Sequence, residues 1–305
     1  MNTATDSMPE PAVTGSGYAT RPFYWSVWRE VWENRSLYIA PLIVAAVQVF
    51  GFAVSSSGLA QRRSKALVLD AAARRVAIEQ PYDIAAMMMI LVVFVIGVFY
   101  CLDALYGERR DRSILFWKSL PVSDLTTMLS KITIPLVVLP VVAFVTILIV
   151  QVVMMLMTSV HLVVHGLSPA STWANIPFIQ NWVVLLYGLV AIALWHAPIY
   201  AWLLLVSGWA PRATFLWAVL PMIVIGIFEK ITFGTSYFSS FLKYRLSGFA
   251  PQAFDFKGRT HPTIDSLAQL TPGSYLSSSG LWIGLVVAAA FTLAAVRLRR
   301  YRGPL

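Results

Sequence analysis

The run ITIPLVVLPVVAFVTILIVQVVMMLM, residues 132–157, decides the fold. It holds no charged side chain, and it is longer than the ~20 mainly apolar residues that carry a helix across a bilayer. It also opens a longer charge-free stretch: after Lys131 no Asp, Glu, Lys or Arg occurs before Arg212. A gap of 80 residues is too long for one membrane span and right for two. They are predicted at 132–157 and 182–207, with an uncharged connection between them.

Working outward, the same criterion places spans at 37–57 and 84–102 before this pair, and at 213–233 and 281–296 after it. The chain is predicted to be an all-α polytopic membrane protein. A polar, disordered tail covers 1–20, and a single transmembrane domain covers 21–305. Composition agrees. Hydrophobic residues make up 58% of the chain and charged residues 12%, against about 25% charged in a soluble domain, so lipid must be the solvent for much of the surface. The net charge of +9 does not point to nucleic acid, because the basic residues punctuate apolar runs instead of forming a stripe. The single cysteine, Cys101, lies in an apolar run, so disulfides play no part. No short apolar core follows an early basic cluster, and no cleaved signal peptide is expected.

Six spans bring both termini to one side. That side collects 13 of the 23 basic residues. RLRRYR at 297–302 abuts the last span, whereas the connection at 158–181 has no basic residue. The positive-inside rule then sets both termini in the cytoplasm, with 58–83 and 234–278 outside. Two segments are predicted to lie along the membrane surface. In RPFYWSVWREVWENRS, 21–36, the residues Trp25, Trp28 and Trp32 recur at helical spacing and form an interfacial anchor, while Arg29 and Glu33 pair four apart on another face. SSFLKYRLSGF, 239–249, is a second amphipathic candidate on the outer side.

No catalytic set is written in the chain. It has no G-x-x-x-x-G-K-[ST] phosphate loop, no H-E-x-x-H and no paired-cysteine metal motif. No catalytic residue, cofactor or metal is therefore expected on it. His161 and His165 can share a helix face but have no third ligand nearby in sequence. His196, before Pro198 in WHAP, reads as a satisfied polar residue at a helix break. Glu229 at the edge of the fifth span either snorkels to water or lines a pathway or a dimer interface. Pro135, Pro140, Pro198 and Pro221 fall in or near spans and permit kinks.

The segment YGERRDRSILFWKSLPVSD, 106–124, is dense in charge between apolar flanks. Glu108 and Arg112 are four apart, so a short helix within 108–120 is predicted. Ile114, Leu115, Phe116 and Trp117 give it an apolar contact surface. Leu120-Pro121 ends it, and Ser123 or Asp124 caps the next helix, which runs through Lys131 into the membrane. A helix held outside the bilayer between two spans suits transmission of force from a soluble partner. The plain alternative is a solvated loop.

ERRDRSILFWKSLPVSDLTTMLSK, 108–131, resembles the cytoplasmic loop of the type-2 ABC transporter permeases, the membrane subunits of ABC exporters. In that family a glutamate–arginine pair, a small residue, an apolar run, a Leu-Pro-Val-Ser-like turn and a lysine occur in this order between spans two and three. Glu108, Arg109, Ser113, Leu120, Pro121, Ser123 and Lys131 match. WHAPIYAWLLLVSGWAPRATFLWAVLP, 195–221, and LTPGSYLSSSGLWIGL, 270–285, are similar to the fourth-to-fifth-span and pre-sixth-span regions. The resemblance covers most of the chain from 21 to 302.

The resemblance implies a coupling helix that docks on a separate ABC ATPase subunit. It assigns that contact to Glu108, Arg109, Arg112 and Ser113, then to Leu115, Phe116 and Trp117, and to the Leu120-Pro121 turn. It further implies a bacterial inner-membrane location and a second permease chain, as homo- or heterodimer. ATP and Mg would sit on the partner ATPase and none on this chain. The leading expectation is thus a permease subunit of an exporter, not itself an enzyme. Two other classes stay open. One is a non-transporting assembly, regulatory or resistance protein on the same fold. The other is an ion-coupled transporter without an ATPase, against which the charge-free gap stands, because such a protein needs buried charges.

Overall fold

The computed structural model describes residues 21–119, 122–256 and 267–301. The tail expected over 1–20 lies outside them, as do Leu120 and Pro121. Among the described residues the chain is helical and has no strand. α1 (Pro22–Glu33) starts on a proline at its first position, where the missing N–H is no loss. α2 (Ser36–Ser55), α3 (Leu59–Leu67) and α4 (Ala71–Asp103) follow. Asp70 caps α4 by accepting from the Ala73 N–H at 3.4 Å. Then come α5 (Tyr106–Arg110), α6 (Ser113–Ser119), α7 (Asp124–Thr133), α8 (Leu139–Val164), α9 (Ala170–Asn175) and α10 (Phe178–Trp209). α11 (Thr214–Phe233), α12 (Tyr237–Ser247), α13 (Phe249–Ala253), α14 (Pro272–Ser277) and α15 (Ser279–Tyr301) complete the chain.

Six stretches are long and apolar enough to cross a membrane: Ser36–Gly58, Ala73–Arg110, Asp124–Val164, Phe178–Trp209, Thr214–Phe233 and Ser279–Tyr301. Each overlies one predicted span, and together they make this a multi-pass membrane protein. Several run longer than predicted. α4 alone has 33 residues, about 50 Å of helix against a hydrocarbon core of about 30 Å. The region expected as a loop at 58–83 is mostly α3 and the first turns of α4. There Leu59, Ile78 and Tyr82 pack with Met154 and Leu162 of α8.

α10 is the central post. Of its apolar window 67% is buried, against 6% for α11, which therefore lies at the rim. Small residues on α10, among them Ala197, Ala201 and Gly208, are buried and let neighbouring helices approach closely. Pro135 and Pro140 do disturb their helix. Pro140 has no N–H to offer Leu136, and the chain takes one wide π-type turn over Ile134–Val138, closed by the Leu139 N–H on the Ile134 carbonyl. Pro198 and Pro221 instead sit inside continuous helices. The break expected at WHAP is absent, because close packing around α10 carries the helix across one missing hydrogen bond.

The chain between α11 and α15 folds back. Gly234 ends α11 at φ 67°, a left-handed conformation that glycine adopts without strain. α12 then returns toward α10, where His196 Nε2 lies 3.0 Å from the Leu246 carbonyl oxygen. Phe94 and Phe249 flank the His196 ring at 5.1 and 6.0 Å. Tyr275 of α14 donates to the Ala191 carbonyl at 2.8 Å. The amphipathic segment expected at 239–249 falls on α12 and the start of α13, with most of α12 exposed and one face against α10. Arg245 turns inward and is buried, because it finds carbonyls and an aromatic face in the bundle.

Candidate functional site at the charged end of the bundle

Both ends of the described chain meet at one end of the bundle, and the sequence delivers charges there one element at a time. Glu30 comes from α1, Glu108 from α5, Asp124 and Lys131 from α7, and Arg299 from α15. Lys131 Nζ lies 2.9 Å from Glu30 and 3.0 Å from Glu108. The Glu30 and Lys131 side chains are 1% and 2% exposed. Tyr100 OH donates to the second Glu30 oxygen at 2.8 Å. Arg299 reaches Glu108 at 3.5 Å and also pairs with Asp124. Arg29 extends the network to Glu30 at 2.7 Å, Glu33 at 3.7 Å and Glu108 at 4.0 Å. The pair expected between Arg29 and Glu33 is present, as the rim of a larger set. Burial opposes the ionised Glu30 carboxylate, but Lys131 and then Arg29 outweigh it and hold the carboxyl below its ordinary range. Taking a charge out of water costs several kcal/mol unless a partner offsets it, and each of these has one.

The segment 106–119 is not one helix. Arg112 adopts φ 58°, a left-handed conformation uncommon for a residue with a side chain, and the chain turns there between α5 and α6. The pairing expected between Glu108 and Arg112 fails for the same reason. Arg112 is exposed, while Glu108 turns inward to Lys131 and Arg299. α5 is fastened to the end of α10. Ser207 Oγ accepts from the Leu105 and Tyr106 N–H groups, both at 2.9 Å. Arg109 donates to the carbonyls of Gly208 at 3.0 Å and Ala210 at 3.3 Å.

α6 hangs from this mount. Ile114 is buried, and the Ser113 hydroxyl donates to the Glu108 carbonyl at 3.4 Å. Trp117 lies beneath the Arg29 guanidinium, 4.1 Å from ring centroid to cation, with Phe116 edge-on at 4.9 Å. Leu115 and Phe116 face outward, Phe116 at 60% exposure. The predicted apolar surface thus divides. Ile114 anchors, Trp117 joins α1, and two residues remain at the surface. Ser123 takes the capping role by accepting from the Thr126 N–H at 3.1 Å, which leaves Asp124 to Arg299.

On α1, Trp25, Trp28 and Trp32 are exposed, and the opposite face buries Ser26 and Glu30. The Trp28 ring lies 6.3 Å from Trp32 and 6.4 Å from Tyr24. Glu229 is far from this end. It accepts from the Thr235 hydroxyl at 2.7 Å and the N–H groups of Tyr237 at 2.6 Å and Phe238 at 2.8 Å, so it fastens the turn into α12. His161 and His165 stack at 4.3 Å, but no group of three metal-ligating side chains forms among the described residues.

Sequence reasoning did not single out Glu30, Arg299, Tyr100 or Ser207. One signal was available for Glu30. A lysine at the mouth of a charge-free span demands an acid, and Glu30 sits between Trp28 and Trp32 in sequence yet off their shared face. Comparison with protein-family models, with curated proteins and with solved structures finds no match to this chain.

Proposed function

We propose that this chain is the membrane-spanning permease subunit of an ATP-driven ABC exporter, energised by a separate ATPase subunit that binds ATP and Mg. The observation that carries this reading is α6, a helix of seven residues that presents Leu115 and Phe116 outward at the charged end. Exposed apolar side chains outside the spans suit burial by a soluble partner. The mount is stiff. A push on α6 passes through Trp117 to α1 and through α5 and Glu108 to α7 and α15. In this reading the charged end and both termini are cytoplasmic, α1 lies in the headgroup layer on its tryptophans, and a second permease chain packs beside a rim helix. The absence of a phosphate loop in the sequence fits an energy site on another chain.

The test is co-purification with a candidate ABC ATPase, sought first in the adjacent reading frames, alongside transport in vesicles. Leu115→Ala with Phe116→Ala should leave membrane insertion intact. Loss of a buried aromatic anchor costs about 2 kcal/mol or more, so association should weaken on the order of thirtyfold. Undiminished association and transport in the double variant would return α6 to a solvated connection.

A further inference from the structure

At the far end of the bundle, buried arginine has no carboxylate beside it among the described residues: Arg63 on α3 is one case and Arg245 on α12 the other. Arg245 on α12 is 8% exposed. Its guanidinium donates to the Trp195 carbonyl at 3.3 Å and the Gly280 carbonyl at 3.1 Å, and lies 5.0 Å from the Trp195 ring centroid. All three partners are neutral, and together they use two of its five N–H groups. Burial pushes this guanidinium below its ordinary value, and among the described residues no carboxylate acts on it to restore it. At the charged end Arg29, Lys131 and Arg299 each have a carboxylate. The Trp195 Nε1–H beneath Arg245 is also buried and has no hydrogen-bond partner among the described residues. The one acid at the nearby turn, Glu229, is committed to the start of α12.

Depth can be read along α15. Gly208 of α10 lies against Leu298 at the charged end. From Leu298 back to Gly280 α15 rises about 27 Å, nearly the ~30 Å of a hydrocarbon core. Gly280 thus marks the far boundary of the apolar layer, and Arg245, bonded to its carbonyl and lying over Gly284 about 21 Å along the same helix, stands inside that boundary on the side of the headgroup phosphates. α15 is glycine where the guanidinium crosses it. A Cβ on Gly284 would fall 2.5 and 2.7 Å from the two terminal nitrogens.

We propose that Arg245 is an anion site that holds the phosphate of an anionic amphiphile, with the acyl chains among the lipid around α15, where Ile283 and Val286 are exposed. A guanidinium fork offers parallel N–H groups to phosphate oxygens, and charge-assisted bonds of this kind are about twice as strong as neutral ones. A buried charge with carbonyl partners alone gains a counter-ion by this binding, and a headgroup drawn in beside Gly280 at the boundary can supply it. The site stands whether or not the chain is an exporter, and whichever end faces the cytoplasm.

The test uses the full chain in neutral detergent with equal amounts of phosphatidylglycerol and phosphatidylcholine, the bound lipid being counted by native mass spectrometry. The wild type should retain phosphatidylglycerol over phosphatidylcholine by about tenfold. Arg245→Gln should abolish the preference. Arg245→Lys, which keeps the charge, should retain part of it, and Arg300→Gln at the other end should leave it unchanged. Millimolar inorganic phosphate should not displace the lipid, and complete displacement would overturn the amphiphile in favour of a free-ion site. Equal retention of the two lipids by the wild type overturns the proposal however the variants fold. So does an unchanged preference in Arg245→Gln.

Discussion

Glu30 and Lys131, 101 residues apart in the chain, meet at 2.9 Å with both side chains almost wholly buried. The contact joins a helix that precedes the first span to the mouth of the third. Glu108 and Tyr100 share it, so α1, α4, α5 and α7 meet on one pair of charges.

Removing one partner should therefore cost far more than removing both. Glu30→Gln leaves an ammonium with one carboxylate, and Lys131→Met leaves Glu30 and Glu108 facing each other. Each should lose about 3–5 kcal/mol, the usual cost of breaking a buried pair. Glu30→Leu with Lys131→Leu should recover much of that. Thermal unfolding in detergent measures it, and single-variant losses that simply add in the double would sink the pairing.

Acid should loosen the same contact. The Glu30 carboxyl is held below its ordinary value of 4.5 by Lys131 and Arg29 against the opposing effect of burial. A lowered folded value means that the unfolded chain binds the proton first. The stabilisation is present above about pH 4.5 and is lost as pH falls through the folded value. The melting temperature of the wild type should fall in that window. Glu30→Gln, already weaker at neutral pH, should show a shallower fall there, and parallel curves would remove Glu30 as the cause.

The two aromatics of α6 should separate by readout. Trp117→Ala removes the ring under Arg29 and should lower stability, by about 0.5–1 kcal/mol for the cation–π contact alone. Phe116→Ala, at a position exposed in the free chain, should stay within about 0.5 kcal/mol of wild-type stability and weaken ATPase association. Melting curves and pull-downs on the same preparations decide it, and the reverse ranking would misplace the docking face.

Topology has a direct check. In a Cys101→Ser background, a cysteine at position 255, on the folded-back segment, should react with an impermeant reagent on intact cells. One at position 300 should react only after permeabilisation. Labelling of both from the same side would contradict six crossings.

The six spans were legible because a bilayer imposes a length and a composition that survive in any sequence context. The charge-free run after Lys131 needed no tertiary knowledge. The fold-back of α12 was not legible. Arg245 looks like a surface residue until the carbonyls of Trp195 and Gly280, from two other helices, are placed beside it. The split at Arg112 depends on one backbone angle, which the favourable spacing of Glu108 and Arg112 conceals. Glu108 turned to Lys131 and Arg299 because those partners are buried with it, a gain that local spacing does not record. Phe116 and Trp117 are adjacent in sequence yet differ in fate, since only the second reaches Arg29.

The wide turn at Ile134–Val138 gives the third span a spare residue. Tightening it to an ordinary helical turn would rotate α7 by about 100° relative to α8, carrying Lys131 off Glu30 and Asp124 off Arg299 in one movement. That change would shift the third span by a single backbone register. The ion pairs at its mouth oppose that rotation, so they hold the third span in the wide-turn register.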